Sequence, residues 1–146
     1  PPTAGTGFEQ AYTALNGNID AVWVANDSNA AAVIAVLDKN GKVVPVSGQD
    51  ASIAGLQNVL LGKQTATVYK PFSLEAAAAS DLAIALLKGE KPTVNNKLDD
   101  GTPFQSVVPV LVGPDKVQSV VDAGDASAAD ICTDAVKAAC EQYGVK

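Results

Sequence analysis

Residues 20–50 read DAVWVANDSNAAAVIAVLDKNGKVVPVSGQD. A β-rich run, Asp20 to Ala25, leads into Asn26-Asp27-Ser28. Asp27 and Ser28 are good helix caps, because their side-chain oxygens accept from the unpaired N–H groups of a first turn. A helix over about Asn29 to Lys39 follows, and Gly41 stands where a left-handed stop residue belongs. Lys42 to Ser47 is a second strand. Strand, helix and strand in such short order predict parallel pairing with a right-handed crossover. Val22-Trp23-Val24 and Val43-Val44-Pro45-Val46 are apolar at successive positions, as strands covered on both faces require. Trp23, in mid-strand, is therefore expected in the core, with stacking on a sugar as the less favoured alternative.

The same alternation extends in both directions. Thr6-x-x-Glu9 reads as a capping box for a helix from about Gly7 to Asn16. Downstream come a helix over about Ser52 to Leu61 and a strand from Thr65 to Tyr69. Ser73 is expected to cap an alanine-rich helix ending near Lys88. A polar loop spans Glu90 to Thr102, with Asp99-Asp100-Gly101 as a turn. Ser106 to Val112 is the fourth strand, and Gly113-Pro114 opens a short helix. The tail from Ala126 holds Cys132, Cys140 and a last helix. Strands beginning near residues 20, 42 and 65 give the spacing of tight βα units, so the class is α/β.

Composition narrows the function. The 146 residues suffice for one domain's core, and 47% are hydrophobic. Ten Lys and Arg against sixteen Asp and Glu leave a net charge of −6, which argues against a nucleic-acid or anionic-membrane partner. With no histidine, a Ser-His-Asp triad and a His-ligated zinc are excluded, and two cysteines do not fill a zinc site. No phosphate-binding glycine loop is present, and no cofactor is implied. The opening Pro1-Pro2, without methionine, predicts a processed or trimmed chain.

Ligands of open α/β sheets bind beyond the carboxyl ends of the strands. Asn26 and Asp27 follow the first strand, Gly48, Gln49 and Asp50 the second, and Lys70 the third. An amide, a carboxylate and an ammonium suit hydroxyl groups, whose protons and lone pairs they can satisfy. Helix capping competes for Asn26, Asp27 and Asp50, and Lys70 also reads as a solvated loop residue. Tyr69-Lys70-Pro71-Phe72 looks like the lysine signature of phosphoacceptor receiver domains. Asp50 lies one βα unit too close to Lys70 for that reading, and the first strand end has no acidic pair.

Val24-Ala25-Asn26-Asp27, Val46-Ser47-Gly48-Gln49-Asp50-Ala51 and Thr67-Val68-Tyr69-Lys70-Pro71 resemble the C-terminal half of periplasmic monosaccharide-binding proteins, the solute receptors of ABC sugar importers. The Gly-Gln-Asp-Ala and Tyr-Lys-Pro pair looks most like the D-xylose-binding branch. The resemblance implies a parallel, three-layer Rossmann-like lobe, with a crossover helix belonging to a second lobe. Residues 1–70 would then finish the sugar-binding lobe. Residues 71–105 would cross the hinge and pack a helix on the other lobe, and 106–146 would return. It also implies that Asn26, Asp50 and Lys70 bond the sugar, and that the protein is a carrier and not an enzyme. Expected partners are an aldose (D-xylose first), an ABC permease and an N-terminal half supplied as a separate chain. The expected location is periplasmic or extracellular, with a lipid anchor through that missing half as an option. Leu74, Leu82, Ala85 and Leu86 would form the apolar face of the crossover helix.

Cys132 and Cys140 lie too far apart to bridge on one straight helix. A bend before a helix starting near Asp134 permits a disulfide, which fits an oxidising compartment. Two buried thiols are the alternative. Two other functions fit the class. A small flavodoxin-like enzyme acting on a sugar or phosphate would use Asp27 and Asp50 as acid and base. A regulator's effector domain would need a DNA-binding headpiece, against which the acidic balance counts.

Overall fold

The structure, a computed structural model, describes residues 2–146 and divides into two units. The first unit comprises the chain up to Tyr69 together with Val110–Lys146, and the second is Lys70–Pro109.

The first unit begins with α1 (Pro2–Ala14) and α2 (Asp27–Lys39), which pack together. The helix thus starts five residues before the expected Gly7, with proline in its first turn, where the missing N–H costs nothing. Thr6 lies inside it, so no capping box forms there. Glu9 instead pairs with Lys39 Nζ at 2.7 Å and ties α1 to the end of α2. That carboxylate raises the Lys39 pKa.

After α3 (Ile53–Leu60), the strand β1 (Thr67–Tyr69) leads out of the unit, and β4 (Val110–Val112) leads back in. The expected parallel pairing is present as bridges, Val22 to Val46 and Gln49 to Val68. The runs 20–25 and 42–47 do not form longer ladders. Ser47 explains part of this: its hydroxyl accepts from Val24 N at 2.7 Å and donates to Val24 O at 3.1 Å, replacing backbone pairing. The expected strand from Ser106 shortens to Val110–Val112 and runs antiparallel to β1, with Thr67 opposite Val112.

Two apolar clusters fill the unit. One joins Val24, Val33, Ile34, Leu37 and Val46 to Phe8 and Tyr12 of α1. The other surrounds Leu56, Tyr69, Val112, Val117, Val120 and Ile131. The pairing register puts both on one face of the sheet. Trp23, between Val22 and Val24, points the other way and is 94% exposed. Its expected burial is therefore reversed, because no described residue of this unit covers that face. Trp23, Val68 and Leu111 line an open groove there, of about 590 Å³.

The unit closes with a 3-10 turn at Pro114–Lys116 and α5 (Val117–Asp122), as the Gly113-Pro114 reading expects. Then come α6 (Ala128–Ile131) and α7 (Lys137–Tyr143). The chain bends between the last two, and Cys132 and Cys140 form a disulfide with Cα atoms 5.9 Å apart. Of the two alternatives left open by their spacing, the bridge is the one found.

The second unit holds α4 (Phe72–Leu87), whose N-cap is Pro71 without a side-chain cap bond. Ser73 therefore does not cap it. The expected loop at 90–102 carries half of a small hairpin, β2 (Asn96–Lys97) with β3 (Pro103–Phe104). Asp99-Asp100-Gly101 is its turn, with Gly101 at φ 85° and its N–H bonded to Leu98 O. The Asp100 carboxyl pKa is lowered by the Thr102 backbone N–H it accepts. On α4, Phe72, Leu74, Ile84, Leu86 and Leu87 are all exposed. No helix among the described residues is long and apolar enough to cross a membrane.

Candidate ligand site

The site is built where the parallel runs of the first unit end. Val68 N donates to Gly48 O, and Asp50 N donates to Val68 O at 2.8 Å. Asp27 N donates to Gln49 O at 2.9 Å. These bonds set the residues after Ala25 beside the residues after Gly48, so Asn26 and Asp50 share one edge of the sheet.

Asn26 is half-buried and is itself the N-cap of α2. Its backbone is extended, and Oδ1 accepts from Asn29 N at 3.0 Å. The cap predicted for Asp27-Ser28 is thus one residue earlier. This bond uses the amide oxygen, so the NH₂ group is not spent on it. Asp50 is exposed and lies at φ 97°, followed by Ala51 at φ 49°. It is not a cap either: Ser52 caps α3, accepting from Gly55 N at 3.1 Å. Lys70, half-buried, is the first residue of the second unit.

Asp27 behaves quite differently from its neighbours. It is 1% exposed, and its carboxylate takes three donors. Ser52 N donates to Oδ2 at 2.8 Å, Gln64 Nε2 to Oδ1 at 2.8 Å, and Thr67 Oγ1 to Oδ1 at 2.9 Å. Gln64 and Thr67 are themselves buried. A buried carboxylate is tolerated only when satisfied in this way. Sealed from solvent, Asp27 is not available as the acid or base of an enzyme. Sequence reasoning missed Gln64 and Thr67: Thr67 is a polar residue between Ala66 and Val68, a signal that could have marked it, but Gln64 stands between Lys63 and Thr65 and carries no such signal.

Tyr69 ends β1, directly before Lys70. It is 4% exposed, and its hydroxyl bonds the Asp125 carboxylate. Burial first, then the bond to Asp125 and its charge, push the phenol up to about 12. The folded protein holds this proton above pH 10, where the unfolded chain loses it. The contribution to stability is whole below about pH 10 and gone above about pH 12. Urea midpoints are expected to fall across that window, and to fall less steeply in Tyr69→Phe. Equal slopes for the two proteins would remove this coupling.

Residues 1–91 match the family model described as periplasmic binding protein domain. The chain is 39% identical over 120 residues to a D-xylose-binding periplasmic protein of Escherichia coli, covering 78% of this chain and 36% of that protein. A carbohydrate transporter solute-binding protein of Chloroflexus aurantiacus, solved with D-glucose, is 30% identical. It superposes with a TM-score of 0.76 over 88% of this chain and 40% of its own. An ABC transporter solute-binding protein of Clostridium phytofermentans, with bound β-D-glucose, gives 0.77 at 25% identity, covering 88% of this chain and 43% of its own. The chain thus spans about a third of the curated relative's length.

Proposed function

This chain belongs to the periplasmic binding protein domain family, and on that premise we propose that it forms part of a receptor that captures a monosaccharide for an ABC importer. It is a carrier, not an enzyme. The observation that carries the reading is the shared edge: Asn26 and Asp50 stand together beyond the ends of parallel runs. A carboxylate accepting from two sugar hydroxyls, an amide donating to a third and the Lys70 ammonium donating to a ring or hydroxyl oxygen make a set complementary to an aldose. D-xylose is the first candidate, supported by the D-xylose-binding relative.

In this reading the residues up to 70 finish one lobe, 71–105 cross a hinge and 106–146 return. Sugar contacts made only when two lobes meet would drive closure. The exposed apolar side chains of α4 support a further lobe covering that helix, in the same polypeptide or as a separate N-terminal half. A permease would receive the loaded receptor. The disulfide supports an extracytoplasmic location, periplasmic or at the cell surface through a lipid anchor.

Titration calorimetry of the protein with D-xylose, D-glucose and L-arabinose tests the reading. Asp50→Ala is expected to weaken pentose binding by about 2 kcal/mol, or roughly thirtyfold, because a sugar hydroxyl is left without its acceptor. Native mass spectrometry should show one pentose adduct, lost in Asp50→Ala. An unchanged dissociation constant would remove Asp50 from the site. No uptake of any aldose would sink the receptor reading.

A further inference from the structure

We propose that Asp27 is a positioning residue, which holds the turn from Gln49 to Ser52 so that the Asp50 carboxylate stands at the edge of the sheet. The affinity part of this inference rests on the sugar-receptor reading; the structural part does not.

Asp27 grips the turn on both sides of Asp50. Ahead of it, Asp27 N donates to Gln49 O at 2.9 Å. Behind it, Ser52 N donates to Asp27 Oδ2 at 2.8 Å. Between them Thr67 acts as a relay: its hydroxyl accepts from Ala51 N at 3.1 Å and donates to Asp27 Oδ1 at 2.9 Å. The peptide groups around Asp50 are thereby tied, directly or through Thr67, to one buried side chain and its backbone.

The turn needs such a tie. Asp50 at φ 97° and Ala51 at φ 49° are consecutive non-glycine residues in the left-handed half of backbone space. L side chains avoid that region, and they persist there only when their surroundings hold them. Nearby glycines are shaped around the same carboxylate. A Cβ at Gly48 would stand 2.3 Å from Asp27 Oδ1, and one at Gly55 would stand 2.1 Å from Oδ2. The cavity therefore fits this side chain, and the side chain fixes the turn.

The test is Asp27→Asn in the full chain, with Thr67→Val as a second variant should the first not fold. The amide keeps the shape but replaces one accepting oxygen with a donor, so the Ser52 or Gln64 bond is lost. Hydrogen exchange at Ala51 and Ser52, whose N–H groups bond Thr67 and Asp27, is expected to speed up at least tenfold, with the interiors of α2 and α3 unchanged. In Thr67→Val the acceleration should centre on Ala51, and Thr67→Ser should restore protection. Wild-type exchange at these amides, or equal acceleration throughout the unit, overturns the proposal.

Affinity gives an independent reading. Asp27→Asn is expected to raise the D-xylose dissociation constant at least tenfold in the native background and less than twofold in Asp50→Ala. Equal losses in both backgrounds would mean that Asp27 does not act through Asp50, and would also overturn it. If the native chain takes up no aldose, the receptor reading fails and the exchange result alone decides the positioning role.

Discussion

Gly55→Ala is expected to destabilise the first unit by about 3 kcal/mol, the upper end of ordinary overpacking costs. The sign is the informative part. Gly55 lies in the first turn of α3, and alanine in a helix is normally favoured over glycine by about 1 kcal/mol. Here the added Cβ would meet Asp27 Oδ2 at 2.1 Å and Asp27 Cγ at 2.3 Å. Asp27 cannot retreat without giving up Ser52 N, Gln64 Nε2 or Thr67 Oγ1, and the buried Thr67 hydroxyl would then lose the carboxylate it donates to. Gly7 supplies the control: it is in α1, exposed, and a Cβ there meets nothing within 4 Å. Gly7→Ala should therefore raise the urea midpoint and Gly55→Ala should lower it. A Gly55→Ala midpoint at or above the native value would show that the Asp27 cradle is loose.

Reduction of the disulfide is expected to cost about 2.5 kcal/mol, the chain-entropy value for closing a loop of about nine residues. The bridge joins the end of α6 to α7. Cys140 is 2% exposed and packs in the cluster with Ile131, Val136 and Val145. Gln57 Nε2 bonds Asp130 O and Ile131 O and ties α6 to α3. Opening the bridge should thus loosen α7 first, while α6 keeps its link to the core. Urea unfolding with and without reductant measures the loss. The Cys132→Ala/Cys140→Ala double variant separates it from reagent effects. Coincident midpoints in oxidised and reduced protein would mean that the tail is held by packing alone.

What the sequence determined was local. Apolar runs divided by glycine-stopped helices were enough for the α/β class, because period and stop residues act within one or two turns of chain. The same local order brought Asn26 and Asp50 to consecutive strand ends, where the structure puts them on one edge. The spacing of Cys132 and Cys140 allowed a bridge without requiring it.

The tertiary structure decided what depended on distant partners. Asn26, Asp27 and Ser28 are all acceptable caps, and only the donors reaching Asp27 select Asn26 for that role. Gln64 and Thr67 lie 37 and 40 residues further along the chain. Trp23 has a core residue's chemistry and a strand's register, yet it is bare, because burial requires another layer on its face. Ser73 and Thr6 were plausible caps that the helices bypass by starting earlier, at Phe72 and Pro2. Periodicity states which side chains share a face. Only the packing of remote segments determines whether that face is covered, and which of several adjacent polar groups is drawn inside.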